Sequence, residues 1–298
     1  CKRERLRVTQ VYIKNKRTPA TPFRQCNKGD AIKIQGSKMK KLMLAAVSAV
    51  VLAVATSPVL AKDWGKIRIA TEGAYPPFNF TDKAGKLQGF DVDIANALCA
   101  QMKASCTIVA QDWDGIIPAL NAKKFDAVIA SMSITEERKK KVSFSGKYYT
   151  TPAKFVRKKG SGIEINAASL KGKTVGVQRA TIHANFVTDN YGKIMDVKSY
   201  ATQDEAYLDF KAGRLDLLLA DSVALKEGFL DTANGADAEF VGPDFTDKKW
   251  FGDGAGIAVR KADADLAAKF TAAIAGIRAS GVYQTINAKY FKFDVYGK

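Results

Sequence analysis

Histidine is almost missing from this chain: His183 is the only one in 298 residues, and there are only four cysteines, at positions 1, 26, 99 and 106. So few imidazoles and thiols argue against a zinc site, which takes about four such ligands. The chain also has no glycine-rich phosphate loop and no serine, histidine and acid series of the kind that builds a nucleophile. The apolar run from Leu42 to about Val54, ahead of Ser57 and Pro58, falls short of the roughly 20 residues that span a bilayer. Excess charge of one sign is confined to the N-terminal stretch. The whole chain holds 47 basic and 30 acidic residues, but 13 and 2 of these lie in residues 1 to 61, so residues 62 to 298 carry 34 and 28, a net of +6. That balance makes no electrostatic case for nucleic acid, and the runs Lys139-Lys140-Lys141 and Arg157-Lys158-Lys159 read as solvated surface.

Residues 39 to 61 have a methionine and two lysines, then the apolar run, then Val59-Leu60-Ala61 with a small residue at the end. This is the pattern of a secretory signal peptide, with cleavage expected between Ala61 and Lys62. A membrane anchor is the alternative, which the short run disfavours. Residue 62 is lysine rather than cysteine, so no lipid attachment follows the cut, and a soluble product in the periplasm is expected. Residues 1 to 38 are basic and aperiodic and read as a non-native or upstream leader outside any fold; the alternative is a basic arm that binds nucleic acid. The remaining 237 residues suit one large domain or two lobes with ample core. They keep two cysteines, Cys99 and Cys106, which in an oxidising compartment point to a disulfide worth about 2 to 3 kcal/mol. Two reduced, buried thiols are the alternative.

From Gly65 onward, β-branched runs alternate with helical periodicity. Strands are expected at Ile67 to Ala70, Thr107 to Ala110 and Ala127 to Ala130, with helices at Val92 to Met102 and Ile116 to Ala122. The pattern repeats with strands at Thr174 to Val177, Val197 to Tyr200 and Leu215 to Leu219, and helices at Ile182 to Asn190, Asp204 to Lys211 and Val223 to Phe229. Such βαβ units imply α/β architecture with parallel sheets. The repeat extends to the letters: Asp114 to Ser131 (DGIIPALNAKKFDAVIAS) aligns without gaps with Asp204 to Asp221 (DEAYLDFKAGRLDLLLAD) at an offset of 90, matching Asp126 to Asp216 and Ser131 to Asp221. Ser131 and Asp221 thus lie at the C-terminal ends of equivalent strands, where open parallel sheets bind ligands. Two facing lobes would set them on opposite walls of one cleft. The chain is expected to cross between lobes near Tyr148 to Pro152 and again within the loop-rich stretch Phe245 to Gly256. It then continues as a strand at Ile257 to Val259 and a helix at Asp265 to Ala279. This assigns 62 to 150 and 254 to 298 to lobe 1 and 151 to 253 to lobe 2, joined by a double-crossing hinge that permits closure.

The segment GFDVDIANALCAQM at Gly89 resembles the signature of the bacterial extracellular solute-binding proteins of family 3, as do TEGAYPPFNF at Thr71, SMSITEERKKKVSFS at Ser131 and DGAGIAVRK at Asp253. The resemblance covers nearly all of residues 64 to 298 and is greatest to the periplasmic lysine/arginine/ornithine-binding and histidine-binding members. It implies a type II periplasmic binding fold, no cofactor and no catalysis, a monomer, and delivery of an amino acid to the membrane permease of an ABC importer.

The resemblance also implies site roles, each with a plainer alternative. Arg138 matches the arginine that grips the ligand α-carboxylate, a task suited to a planar, two-pronged donor; otherwise it is a surface arginine. Ser131 and Ser133 match positions that hydrogen-bond the ligand amine and carboxylate, or are ordinary turn residues. Asp221 matches the partner of the α-ammonium and is also placed to cap the following helix. Tyr75 and Trp113 match aromatic positions that sandwich the ligand side chain, or are core aromatics. Glu72 stands where relatives carry an aspartate that meets the distal charge, or is an exposed strand-end carboxylate. Two departures stand out. QRATIHANF from Gln178 replaces the usual glycine and small-hydroxyl loop, so that Thr181, Ile182 and His183 cover those positions and Arg179 adds a charge, with backbone donation to the carboxylate carried over to Ile182, and Ala130 replaces a serine. The expected ligand is a cationic L-amino acid: arginine, lysine, ornithine or, less closely, histidine. Opine-type conjugates and a periplasmic dehydratase of the same fold are the alternatives.

Overall fold

A computed structural model describes residues 62–297. The signal at 39 to 61 and the leader ahead of it lie outside the described residues. Strand β1 (Lys66–Thr71) starts the fold, with Ile67 and Ile69 inward and Lys66 and Arg68 outward. Three short strands follow, β2 (Ala74–Tyr75), β3 (Asn79–Thr81) and β4 (Leu87–Gln88), forming a small sheet of their own. Helix α1 (Phe90–Gln101) begins immediately after Gly89. There the backbone takes φ 117°, and a Cβ would stand 2.4 Å from the Phe78 carbonyl oxygen, so only glycine fits. The close approach lets Asp91 N–H donate to that carbonyl at 2.7 Å.

The chain continues through β5 (Ser105–Ala110), α2 (Ile116–Asn121), β6 (Ala127–Val128), the single turn α3 (Glu136–Lys139) and β7 (Ser143–Tyr149). Next come β8 (Ala153–Lys158), α4 (Ala167–Leu170), β9 (Thr174–Gln178), α5 (Ile182–Tyr191), β10 (Asp196–Tyr200), α6 (Gln203–Lys211), β11 (Leu217–Asp221), α7 (Ser222–Leu225) and β12 (Ala238–Phe245). It closes with α8 (Lys248–Phe251), β13 (Ala255–Val259), α9 (Ala264–Ala279) and α10 (Val282–Tyr290). Two five-stranded sheets result, ordered β5-β1-β6-β13-β7 and β10-β9-β11-β8-β12. Their cores flank each sheet on both faces. No helix among the described residues is long and apolar enough to cross a membrane.

The expected parallel sheets prove to be mixed. β1 runs parallel to β5 and β6, and β9 to β10 and β11, as βαβ units require. β13 lies antiparallel to β6 and β7, however, and β8 antiparallel to β11 and β12. These strands carry the chain out of one sheet and back into it, and no crossover helix constrains their direction. Sequence patterning missed β7, β8 and β12, in which lysine, arginine, glycine or proline interrupts the apolar run. It also placed β11 two residues early and treated α8 as loop.

The internal repeat has an atomic counterpart. Asp126 accepts the Arg68 backbone N–H at 3.1 Å, and Asp216 accepts that of Thr174 at 2.8 Å, each tying the third strand of its unit to the start of the first. Cys99 and Cys106 form a disulfide with their Cα atoms 6.1 Å apart, linking the end of α1 to β5. The α1 face packs into an aromatic cluster. Phe90 is fully buried, and its ring centre lies 5.1 Å from Phe291, 6.0 Å from Tyr283 and 6.3 Å from Phe78, which in turn stacks on Tyr149 at 4.6 Å. Phe90→Ala is expected to lower unfolding free energy by about 3 to 5 kcal/mol; denaturant titration showing less than about 1 kcal/mol would mean the cluster repacks without loss.

Candidate functional site

The C-terminal ends of β1, β6, β9 and β11 converge on one cavity of about 180 Å³. Its size is below the roughly 300 to 1,000 Å³ usual for drug-sized ligands, so its occupant is small. All nine residues singled out from the sequence line it: Glu72, Tyr75, Trp113, Ser131, Ser133, Arg138, Thr181, Ile182 and Asp221. They come from both sheets, as the equivalence of Ser131 and Asp221 requires.

Arg138 projects from the one-turn helix α3. Its Nη1 donates to the Ser133 carbonyl at 3.1 Å and its Nη2 to the Ala180 carbonyl at 3.4 Å, and its guanidinium carbon stands 5.1 Å from the centre of the Trp113 ring. It forms no salt bridge among the described residues, and burial draws its pKa down to about 10. Ala180 replaces the glycine expected here and still takes the left-handed conformation, φ 57°. Its carbonyl accepts from both Arg138 and Trp113 Nε1, the latter at 3.2 Å. The Thr181 hydroxyl has its one proton spent, donating to the Gln178 carbonyl at 2.7 Å while accepting from Ala184 N–H at 3.1 Å. It therefore caps α5, and what that helix start offers the cavity is backbone N–H and the positive end of its dipole.

Asp221 does cap a helix: its Oδ1 accepts from Val223 and Ala224 N–H at 2.8 and 3.3 Å, and its Oδ2 is held by the Thr151 hydroxyl. Burial pushes its pKa up to about 6 against those bonds. Glu72 reaches about 7, first through burial and then through the nearby charges of Asp204, Asp114 and Asp112, while Gln178 Nε2 donates to its Oε1 at 2.5 Å. Neither carboxylate forms a salt bridge among the described residues. Ser131 holds φ 53°, with its hydroxyl turned to Asp91 at 2.9 Å.

Sequence reasoning placed His183 in the loop that covers the carboxylate without giving it a role of its own, and missed Gln178 and Gln203; all three line the cavity. Gln203 is 2% exposed, and its Nε2 has no hydrogen-bond partner. His183 is kept neutral by burial and by Arg138, its pKa drawn down to about 3. The strand-end rule applied to β9 would have found Gln178; Gln203 looks in sequence like an ordinary first-turn residue. Among the described residues no group of three or more histidine, cysteine, aspartate or glutamate side chains could hold a metal ion.

Two mixed α/β sheets around a small, charge-lined cavity at their strand ends define a type II periplasmic binding protein. Residues 67–293 match the model of the bacterial extracellular solute-binding proteins, family 3, and the chain belongs to that family. It is 50% identical over 260 residues to the L-arginine-binding protein of Pseudomonas aeruginosa, covering 87% of this chain and 99% of that one. To the lysine/arginine/ornithine-binding periplasmic protein of Escherichia coli it is 44% identical, covering 87% and 100%. Among solved structures, a Salmonella typhimurium periplasmic binding protein described for high arginine specificity superposes with a TM-score of 0.70 at 35% identity, covering 76% of this chain and 99% of that one. An ancestral arginine-binding protein bound to arginine gives 0.70 at 37%, covering 76% and 98%.

The buried carboxylates make stability depend on pH in a defined direction. Glu72 and Asp221 titrate near 4.5 and 3.8 when exposed but at about 7 and about 6 in the fold, so between about pH 4 and 7 these two side chains hold more protons in the folded state than in the unfolded chain. Stability contributed by the neutral forms is therefore present in full below pH 4 and lost as pH rises to 7. Glu72→Gln should flatten the upper part of this fall in unliganded protein. Denaturant midpoints at several pH values decide it: a wild type and variant with equal slopes between pH 5 and 7 would show that Glu72 is not desolvated.

Proposed function

We propose that this protein is the non-catalytic binding component of an ABC importer for cationic L-amino acids, namely arginine, lysine and ornithine, with histidine at the edge of its range. One observation carries the reading: one cavity holds a guanidinium and two carboxylates, none of which forms a salt bridge among the described residues. A molecule with one carboxylate and two positive groups complements that set. In this reading Arg138 takes the α-carboxylate in two-pronged fashion, together with the α5 start at Thr181 and Ile182 and with Ser133. Asp221 and Ser131 take the α-ammonium, Glu72 takes the distal charge, and Tyr75 and Trp113 hold the stem between them. The names of the arginine- and lysine/arginine/ornithine-binding relatives support the ligand class.

Residues 62 to 150 with 254 to 298, and 151 to 253, act as two lobes that close on the ligand. Gln178 to Glu72, Arg179 to Asp114, and Ala180 to Trp113 and Arg138 are the contacts across the cleft that support closure. The protein works in the periplasm as a monomer after removal of residues 39 to 61, and hands its ligand to a membrane permease.

Calorimetry with a panel of amino acids tests this. Glu72→Gln keeps the shape and removes the charge, so arginine, lysine and ornithine should weaken by about 1.5 to 3 kcal/mol and glutamine much less. Arg138→Ala should weaken every amino acid alike, because all share the α-carboxylate. Cationic ligands that bind the Gln variant as tightly as wild type would end the cationic-pocket reading.

A further inference from the structure

Asp91, the second residue of α1, is completely buried and forms no salt bridge among the described residues. Three donors share its carboxylate instead. The Tyr148 hydroxyl reaches Oδ1 at 2.7 Å, and the Asn79 amide and the Ser131 hydroxyl reach Oδ2 at 2.8 and 2.9 Å. Because the one proton of Tyr148 is spent on Asp91, its oxygen is left as an acceptor, and it takes the Ser131 backbone N–H at 3.0 Å. Asn79 carries the same anchoring onward, its Oδ1 accepting the N–H of Gly73 at 2.8 Å, next to Glu72.

Ser131 owns two donors, its backbone N–H and its hydroxyl, and both are now turned into the protein. What it can offer the cavity is acceptors only: its carbonyl oxygen and the lone pairs of its hydroxyl. An ammonium needs acceptors, whereas a carboxylate needs donors. The two anchors also hold Ser131 at φ 53°, a conformation that a residue with a Cβ seldom keeps unaided.

We infer that Asp91 is a positioning residue for ligand recognition: by drawing in both donors of Ser131, one directly and one through Tyr148, it makes Ser131 an acceptor-only wall that reads the ligand's α-ammonium beside Asp221. This rests on the amino-acid-binding reading but not on the cationic side chain.

The test is a double-mutant cycle with Asp91→Asn, Ser131→Ala and the two combined, measured calorimetrically with arginine and with des-amino arginine, the same molecule lacking its α-amino group. An asparagine in place of Asp91 brings a donor where an acceptor stood, so it cannot satisfy all three neighbours, and Ser131 is released. Each single variant should weaken arginine by about 10-fold or more, the combination should be no weaker than the worse single, and the des-amino compound should bind all four proteins equally. Equal losses for both ligands would reduce Asp91 to a fold-holding role, and losses that add in the double variant would show that it does not act through Ser131; either overturns the inference. Should Asp91→Asn melt below the assay temperature, Ser131→Ala decides by itself: loss for arginine alone supports the inference, and equal loss or none overturns it. If the wild type prefers a neutral amino acid, the cationic reading falls while the same cycle is read on that amino acid and its des-amino form. Binding of no amino acid overturns both.

Discussion

A half-buried guanidinium that no carboxylate among the described residues pairs with sets the terms for the rest of the site. Taking a charge out of water is unfavourable by several kcal/mol unless a partner is supplied, and at Arg138 the protein supplies only two carbonyls and the face of Trp113. The opposite signs are equally unmet: Asp221 receives two backbone N–H groups and a hydroxyl, Glu72 an amide, and both are pushed up as burial demands. These groups form no salt bridge with one another: Arg138 projects from α3, Glu72 follows β1 and Asp221 ends β11. In the proposed function the ligand brings the missing charges, and that is the physical content of the expected preference for a zwitterion with a further positive group.

Apolar and polar contacts both join the two sides of this cavity: Val223 and Ala224 share a buried cluster with Tyr75 and Phe78, and an ion pair and hydrogen bonds lie at the cleft. Arg179 and Asp114 pair with their side chains 52% and 36% exposed, where an ion pair is worth little. The Gln178 to Glu72 bond and the Ala180 carbonyl add hydrogen bonds whose groups water would otherwise satisfy. In the proposed closure, a ligand that touches both sides would shift the balance by its differential affinity for the closed form. The aromatic packing around Phe78, Phe90 and Tyr149 forms a close-packed wall beside the cavity.

One short segment serves both. Gly89 allows α1 to start against Phe78, Phe90 fills the aromatic cluster, and Asp91 directs Ser131, so three consecutive letters of the family signature act on backbone approach, core packing and ligand polarity in turn. The repeat behaves likewise: Asp126 and Asp216 make equivalent bonds in the two sheets, and 90 residues of offset place Ser131 and Asp221 at equivalent strand ends. From that equivalence came different chemistry, one residue tied inward at a left-handed turn and the other capping a helix.

Local periodicity was enough to find the βαβ units, because strands buried on both faces and amphipathic helices write their environment into neighbouring letters. The resemblance to the family 3 solute-binding proteins, joined at Ser131 and Asp221 by the internal repeat, marked nine side chains that meet in one cavity. The antiparallel strands β7, β8 and β12 were not legible, since their partners are distant in sequence and lysine, glycine or proline breaks their apolar pattern. Nor could letters tell that the Thr181 hydroxyl would be consumed in capping, that Ala180 would adopt a glycine-like turn, or that Gln203 would sit buried with an unpaired amide. Hydrogen-bond supply is settled only when groups from separate segments meet: sequence determines which donors and acceptors exist, and tertiary structure decides which are already spent and which are left for a ligand.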